Sequence, residues 1–301
     1  MSPIAAPSTV LVTGAGDGIG KAVVAELSAR GFRVFAGLRT REAVEAFLPH
    51  PDGSVTPVHL DVVDDQVVDR ATLVISRAVG SGGLNGVVNA AGIIVEGPLE
   101  LIPPAEFRRQ LDVNVVGRFA VVRALLPLLR RGRGRIVNIG AISARTTAPF
   151  FAPAAVASAG FASLNDAMRM EFAPFGITVV LIEPGGIATG IFDKAASRQT
   201  ASMQDQNEDL VAVYGPAITA TREAFARFGL DEPSVVVEAV MTALAGRSGP
   251  RVLVGRGARL IAWIGLLPPW LRDRVLMSSL GIAGALRPGA ARLRQETTAS
   301  L

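Results

Sequence analysis

The stretch Thr9-Val-Leu-Val-Thr-Gly-Ala-Gly-Asp-Gly-Ile-Gly20 decides the fold. It opens as a β-rich apolar run and turns through glycines at 14, 16, 18 and 20. It then enters a segment of helical periodicity from Gly18 to Arg30, stopped at Gly31. Glycines between a strand and a helix permit a tight turn and a close approach of backbone to a pyrophosphate. The helix N-terminus adds unbonded N–H groups and the positive end of its dipole. Alone, such a turn is a weak signal, so the rest of the chain must supply its context.

That context is regular. Strand patterns at Thr9–Thr13, Arg33–Leu38, Val55–Leu60, Gly86–Asn89, Arg135–Ile142, Ile177–Ile182 and Arg251–Val254 alternate with helical ones at Arg41–Leu48, Val67–Val79, Ala105–Arg131, Ala154–Phe172 and Val235–Ala245. Pro127 is expected to kink the long helix. Continuous apolar strands such as Val10–Val12 and Val179–Ile182 fit a sheet covered on both faces. The expected architecture is α/β: a Rossmann-like, doubly wound, seven-stranded parallel sheet over residues 1–255, with a lid insertion at Gly186–Gly229. A helical extension, 256–301, packs on the same domain, and its end, Arg287 to Leu301, is expected to fray.

Composition closes several doors. Of 301 residues half are apolar, enough for a large core. The net charge of +4 is too small to argue for nucleic acid. Cysteine is absent, which removes disulfides, thiol catalysis and thiolate metal sites. His50 and His59 are the two histidines, so no metal is expected. Met1 to Ser8 lacks the character of a signal peptide. The apolar run Leu260 to Trp270 falls short of the roughly 20 residues that cross a bilayer. A soluble, cytoplasmic protein is expected.

Taken together, these motifs resemble the short-chain dehydrogenase/reductase family from about Thr9 to Gly255. Gly14, Gly18 and Gly20 have that family's spacing. Asp61, followed by Val62, matches the aspartate beside the adenine. Asn89-Ala90-Ala-Gly92 looks like its Asn-Asn-Ala-Gly element, with Ala90 a departure. Asn114 matches the asparagine of the long helix, and Pro184-Gly185-Gly-Ile187-Ala-Thr189 the loop whose threonine meets the nicotinamide carboxamide. The resemblance implies a nicotinamide cofactor held by these residues together with Gly16, Asp17 and Ile19. Arg39 and Thr40 end strand two where an acid would select NAD, so they favour NADP; Asp17 points the other way.

The resemblance also exposes a loss. The family places a serine thirteen residues before a tyrosine and a lysine four residues after it; here those positions read Ala141, Ala154 and Ser158. The segment Asp166 to Glu171 fixes the register from downstream, and between Arg145 and Phe192 there is no tyrosine or lysine that a small slip could recover. Removing a positioned proton donor costs on the order of 10²- to 10⁴-fold. Replacement candidates are Ser143, expected to face the same side as Ala141 at the strand end, and Tyr214, the sole tyrosine, in the lid. Asn114 keeps its family role in a proton relay. Glu96 is a candidate base; Asp193 and Lys194 read as helix-start residues, and Arg145 as a structural arginine.

Ile261, Trp263, Ile264, Leu266, Leu267, Trp270, Leu271, Val275 and Leu276 give the tail a broad apolar surface, broken by Pro268-Pro269 and flanked by Arg272, Asp273 and Arg274. Such a stripe fits closure of a hydrophobic pocket or a subunit contact better than a membrane anchor. By resemblance, the chain is expected to form a homodimer or homotetramer through its long helices. Three functions stay open. The favoured one is non-redox cyclisation, isomerisation or dehydration of a bulky hydrophobic small molecule. The alternatives are an NADP-dependent oxidoreductase with a relocated acid, and a non-catalytic nucleotide-binding regulator or inactive partner subunit.

Overall fold

The computed structural model describes residues 8–47, 53–204 and 206–286. The expectations placed on Met1 to Pro7, on His50 and on Arg287 to Leu301 lie outside these residues. Strands β1 (Thr9–Thr13), β2 (Arg33–Leu38), β3 (Val55–His59), β4 (Gly86–Asn89), β5 (Arg135–Ile139), β6 (Thr178–Pro184) and β7 (Arg251–Val254) form one parallel sheet in the order β3-β2-β1-β4-β5-β6-β7. The chain winds outward from β1 to β3 and resumes on β1's other side at β4. Connections therefore diverge between β1 and β4 and open a crevice at the carboxyl edge. The register sets Thr13 beside Asn89, Asn89 beside Asn138 and Asn138 beside Leu181, a row of residues along that edge.

The helices are α1 (Gly18–Ala29), α2 (Arg41–Glu45), α3 (Asp65–Val79), α4 (Pro104–Leu111), α5 (Arg118–Gly132), α6 (Ala152–Phe172), α7 (Ile191–Met203), α8 (Glu208–Phe228), α9 (Ser234–Leu244), α10 (Ala258–Ile264) and α11 (Pro269–Ser279). Strand alternation divides the core into two layers. Val10, Val12, Val180 and Ile182 join Val23, Val24 and Leu27 of α1 and Val236 and Val240 of α9. Leu11 and Val179 face the opposite way, onto Ala71 and Ile75 of α3 and Val122, Leu125 and Leu129 of α5. Each such fully buried Val or Leu contributes about 1.5–3 kcal/mol relative to exposure, so the two layers together fix the sheet that presents the crevice.

Three expectations need correction. Strand five ends at Ile139, and Ile142–Ala144 is a tight 3₁₀ turn, so two-residue alternation does not govern where Ser143 points. Strand six runs on to Pro184, because Leu181 to Pro184 pair with β7. The long helix is not a plain α-helix kinked at Pro127. Between α4 and α5, Asp112–Gly117 forms a π-helical segment. Gly117 there rests on strand three's exit, where an added Cβ would stand 2.7 Å from the Val62 carbonyl oxygen. Pro127 lies on the exposed side of α5, where a missing N–H costs little packing.

Candidate active site at the carboxyl edge of the sheet

Thr13 builds the floor of the crevice. Its Oγ1 accepts hydrogen bonds from the Ala90 and Ala91 amides, both at 3.1 Å, and so ties the exits of β1 and β4 together. The glycine turn is then cramped. A Cβ on Gly14 (φ +65°) would stand 2.7 Å from the Ala91 Cα, and one on Gly20 would stand 2.1 Å from the Gly14 carbonyl oxygen. Neither position tolerates a side chain. Asp17 precedes α1 without capping it, and the first turn of that helix holds no acidic residue. Its N-terminal amides at Gly18, Ile19 and Gly20 are thus open to an anion. That cradle, with Gly16 in the turn, fits a pyrophosphate.

The Pro184–Thr189 segment folds down onto the same turn. Thr189 Cγ2 lies 3.1 Å from where a Gly18 Cβ would stand. Gly185 N donates to the Val254 carbonyl (2.9 Å), Ala188 N to that of Asp231 (2.8 Å), and Asp231 N to that of Gly186 (2.9 Å). Ile187 is buried between them. Asp231 accepts from the Arg256 amide and Nε, both at 2.8 Å, which holds its carboxyl below the ordinary range. From α7, Lys194 forms an ion pair with Asp17 and so bridges the lid to the glycine turn. Neither Lys194 nor Asp231 emerged as a binding-loop clamp from the sequence, because each pair spans distant segments. At the adenine end, Asp61 accepts from Val63 N (3.2 Å). Arg39 is exposed beyond β2, with His59 Nε2 3.1 Å from its carbonyl oxygen. Thr40 is a helix cap: its Oγ1 accepts from Ala43 N at 3.2 Å, which explains its place after Arg39 without a ligand.

The turn after β5 and the start of α6 bring together the positions that the family resemblance singles out. Ala141 lies two residues beyond β5; Ala154 and Ser158 stand one turn apart on α6, with Ala154 buried. The 3₁₀ turn carries Ser143 to Ser158, and Ser143 Oγ donates to Ser158 Oγ at 3.0 Å. Asn114 is not free to face a substrate. Its Oδ1 accepts from Ile93 N and its Nδ2 donates to the Ile93 carbonyl, both at 2.9 Å, making it a positioning residue for the loop after β4. Tyr214 is likewise committed. Its hydroxyl donates to Glu100 at 2.7 Å, and that bond raises its pKa above 10.0, so it makes a poor acid. Arg145 pairs with Glu183, which is wholly buried, at 2.6 Å.

Two features went unread in the sequence. Beneath the site, Asn89 Nδ2 donates to Asn138 Oδ1 (2.8 Å) and Asn138 Nδ2 to Asn165 Oδ1 (2.9 Å). This buried amide chain joins β4, β5 and α6, the three elements that carry the site. The second is Arg118, one turn beyond Asn114. Its guanidinium is buried, donates to the Ala91 and Ile139 carbonyls at 2.7 Å each, and lies 4.8 Å from the Phe161 ring centroid. Burial, with no carboxylate offsetting it, brings its pKa down to about 10. An added Cβ on Gly92 would stand 2.5 Å from Arg118 Nη2, so the cation lies directly under the loop after β4. Its i+4 spacing from Asn114 on an inward helix face was the signal available.

Over the crevice, α7 packs against the loop following β4. Gln199 of α7 is buried and accepts from Arg222 Nη2 at 2.7 Å. A cavity of about 10 Å³ remains between them, lined by Glu96, Arg198 and Gln199 among others, room for roughly one water. Burial there raises the Glu96 carboxyl, with Arg222 opposing. Behind it, Leu280 and Ile282 beyond α11 are buried with Ala217 and Ala224 of α8, and Phe150, Phe225 and Met277 pack onto them. This apolar wall is built by Met277, Leu280 and Ile282 rather than by the Ile261–Leu276 stripe expected to close a pocket, whose Trp263, Leu266 and Trp270 are exposed. Phe151 and Phe225 stack obliquely at 4.9 Å beside it.

Residues 8–200 match the family model of the short chain dehydrogenases. The chain belongs to that family. Among its relatives, the 3-amino-tetrahydro-pyrrolizinone reductase of Xenorhabdus hominickii is 34% identical over 62% of this chain and 64% of its own length. Retinol dehydrogenase 16 of Mus musculus is 33% identical over 70% of this chain and 68% of its own length. The chain thus matches about two thirds of these curated relatives. A short-chain dehydrogenase from Burkholderia cenocepacia, solved in complex with NADP, superposes with a TM-score of 0.68 at 27% identity, covering 91% of this chain and 97% of that one.

Proposed function

We propose that this family member is an NADP(H)-dependent oxidoreductase acting on a bulky apolar alcohol or ketone, with the Ser143–Ser158 hydroxyl pair in place of a tyrosine and lysine. The observation that carries this reading is the preserved nucleotide cradle, in which Gly14 and Gly20 admit no Cβ and the first turn of α1 is uncapped. A structure that had abandoned its nucleotide would have no use for that restriction. Gly14–Gly20 would hold the pyrophosphate, Asp61 and Val62 the adenine, Arg39 the 2′-phosphate, and Asn89, Ala90, Gly92, Pro184, Gly185, Ile187 and Thr189 the nicotinamide half. When bound, the cofactor supplies or accepts a hydride. Ser158, receiving its hydrogen bond from Ser143, keeps its own proton for a substrate oxygen. A serine is a weak acid, so turnover is expected to fall about 10²- to 10⁴-fold below that of a member with the tyrosine. The apolar wall of Phe150, Phe225 and Met277 supports a bulky hydrophobic substrate.

The reductase and dehydrogenase names of the relatives shift weight from non-redox chemistry to this alternative. Non-redox chemistry stays as a second reading because Ala141 and Ala154 remove hydrogen-bonding groups from where a carbonyl would sit. Self-association is proposed through the outer faces of α5 and α6, where Phe119, Val156 and Met170 are exposed. The test is titration of the purified chain with NADPH and NADH, followed by a panel of apolar ketones monitored by both nicotinamide absorbance and product mass. Micromolar NADPH binding, weaker NADH binding and equimolar absorbance change and product support the proposal. Product without absorbance change supports the second reading. Binding of neither nucleotide overturns both, and leaves a binding protein for another ligand.

A further inference from the structure

The C-terminal extension exposes large apolar side chains where a folded domain has little reason to. Leu260 is 64% exposed, Trp263 70%, Leu266 76% and Trp270 70%. Leu260 and Trp263 are one turn apart on α10, and the helical turning continues beyond it, Leu266 N donating to the Trp263 carbonyl at 3.0 Å. These side chains therefore form one stripe, and beyond it Trp270, at the start of α11, is also exposed. The opposite face of α10 is fixed to the body. Ala258 is fully buried, Thr146 Oγ1 donates to the Ile261 carbonyl at 2.7 Å, and Gly265 lies so close to the Arg145 carbonyl oxygen that a Cβ would stand 2.6 Å from it. The stripe is thus held outward by a rigid support, and that support is the loop that carries Ser143.

Charge selects the occupant. Arg259 and Arg274 are exposed; Arg256 is held by Asp231, and the half-buried Arg272 by Asp273. In a two-fold contact between copies, each patch meets itself, which would bring two arginine rims together. An anionic lipid surface meets the same rim with opposite charge, and its interfacial zone accommodates tryptophan and leucine. No helix among the described residues is long and apolar enough to cross a membrane. We infer that α10 and the start of α11 form a monotopic seat on an anionic bilayer, with Trp263, Trp270, Leu260 and Leu266 entering the headgroup boundary and the arginines pairing with lipid phosphates. The seat places the loop of Ser143, and the apolar wall behind it, next to the lipid phase. Only that consequence, delivery of an apolar substrate from the bilayer, rests on the proposed function.

The two tryptophans of the chain are both exposed on this extension, so intrinsic fluorescence reports on it directly. The test mixes the full-length protein with vesicles of phosphatidylcholine alone, or of phosphatidylcholine with phosphatidylglycerol, and reads co-sedimentation and emission wavelength; no cofactor or substrate is needed, so the result is separable from the catalytic reading. Expected are binding to anionic vesicles with a blue-shifted emission, weakening with added salt, and little binding to phosphatidylcholine. Replacing Trp263 and Trp270 with serine, or Arg259 and Arg274 with glutamate, should lower partitioning about tenfold or more; these residues are exposed, and circular dichroism confirms that the variants fold. Absence of binding, or binding unchanged by both double variants, overturns the inference. So does an emission already blue-shifted in buffer together with a dimer that the Trp263→Ser/Trp270→Ser variant dissociates, which would make the stripe a contact between copies.

Discussion

Ser158 shows what a single residue does to this scaffold. Where the family resemblance expects a lysine, the serine closes a hydroxyl pair with Ser143 at 3.0 Å. The nearby buried cation is Arg118, which spends its donors on two backbone carbonyls. The combined variant Ala141→Ser, Ala154→Tyr and Ser158→Lys is expected to gain NADPH-dependent reduction of apolar ketones by at least tenfold. An unchanged rate, with folding and NADPH binding intact, would show that these positions are not the ones lost. Glu96 makes a second prediction. Its folded pKa is raised above 4.5 by burial, so the folded state holds more protons than the unfolded one. Its favourable contribution is present in full below 4.5 and is lost as pH rises through the raised value. Glu96→Gln should therefore melt higher than the native chain at neutral pH, with the gap closing towards pH 4 in thermal scans.

Among the elements, the lid is tied to the nucleotide turn by Lys194 and Asp17, whose side chains remain 69% and 67% exposed. Solvated pairs of this kind add little stability, about 0–1 kcal/mol, so the contact matters for closure rather than for folding. Lys194→Ala should leave the urea midpoint nearly unchanged and speed NADPH release several-fold in stopped-flow displacement. Equal release rates would remove the lid from cofactor retention. Strand alternation places Ser143 on the side of Ala141, but β5 ends at Ile139 and a 3₁₀ turn redirects the side chain. The π-helical segment at Asn114 was hidden because hydrophobic periodicity continues through it, and its support lies in Gly117's contact with Val62, which is remote in sequence.

Across the whole molecule, one charge cluster joins the site to the far edge of the sheet. Glu183 of β6 is fully buried, Arg145 binds it at 2.6 Å, and Arg251 of β7 lies 3.9 Å from it while pairing with Asp166 of α6 at 2.6 Å. Arg145→Met would strip a buried carboxylate of its main partner and should cost about 2–3 kcal/mol in denaturant unfolding, moderated because Arg145 is partly solvated. A loss below about 0.5 kcal/mol would show that Arg251 alone suffices. The doubly wound sheet, the glycine turn and the absence of tyrosine and lysine between Arg145 and Phe192 were legible along the chain. These depend on local periodicity, on backbone space that only glycine leaves, and on residue identity at fixed spacing. Only the tertiary structure decided that Ser143 meets Ser158, that Tyr214 is taken by Glu100, and that the tail turns its tryptophans outward. Each of these depends on which distant segments share a surface, and that is set by how the layers pack on the sheet rather than by any pattern along the chain.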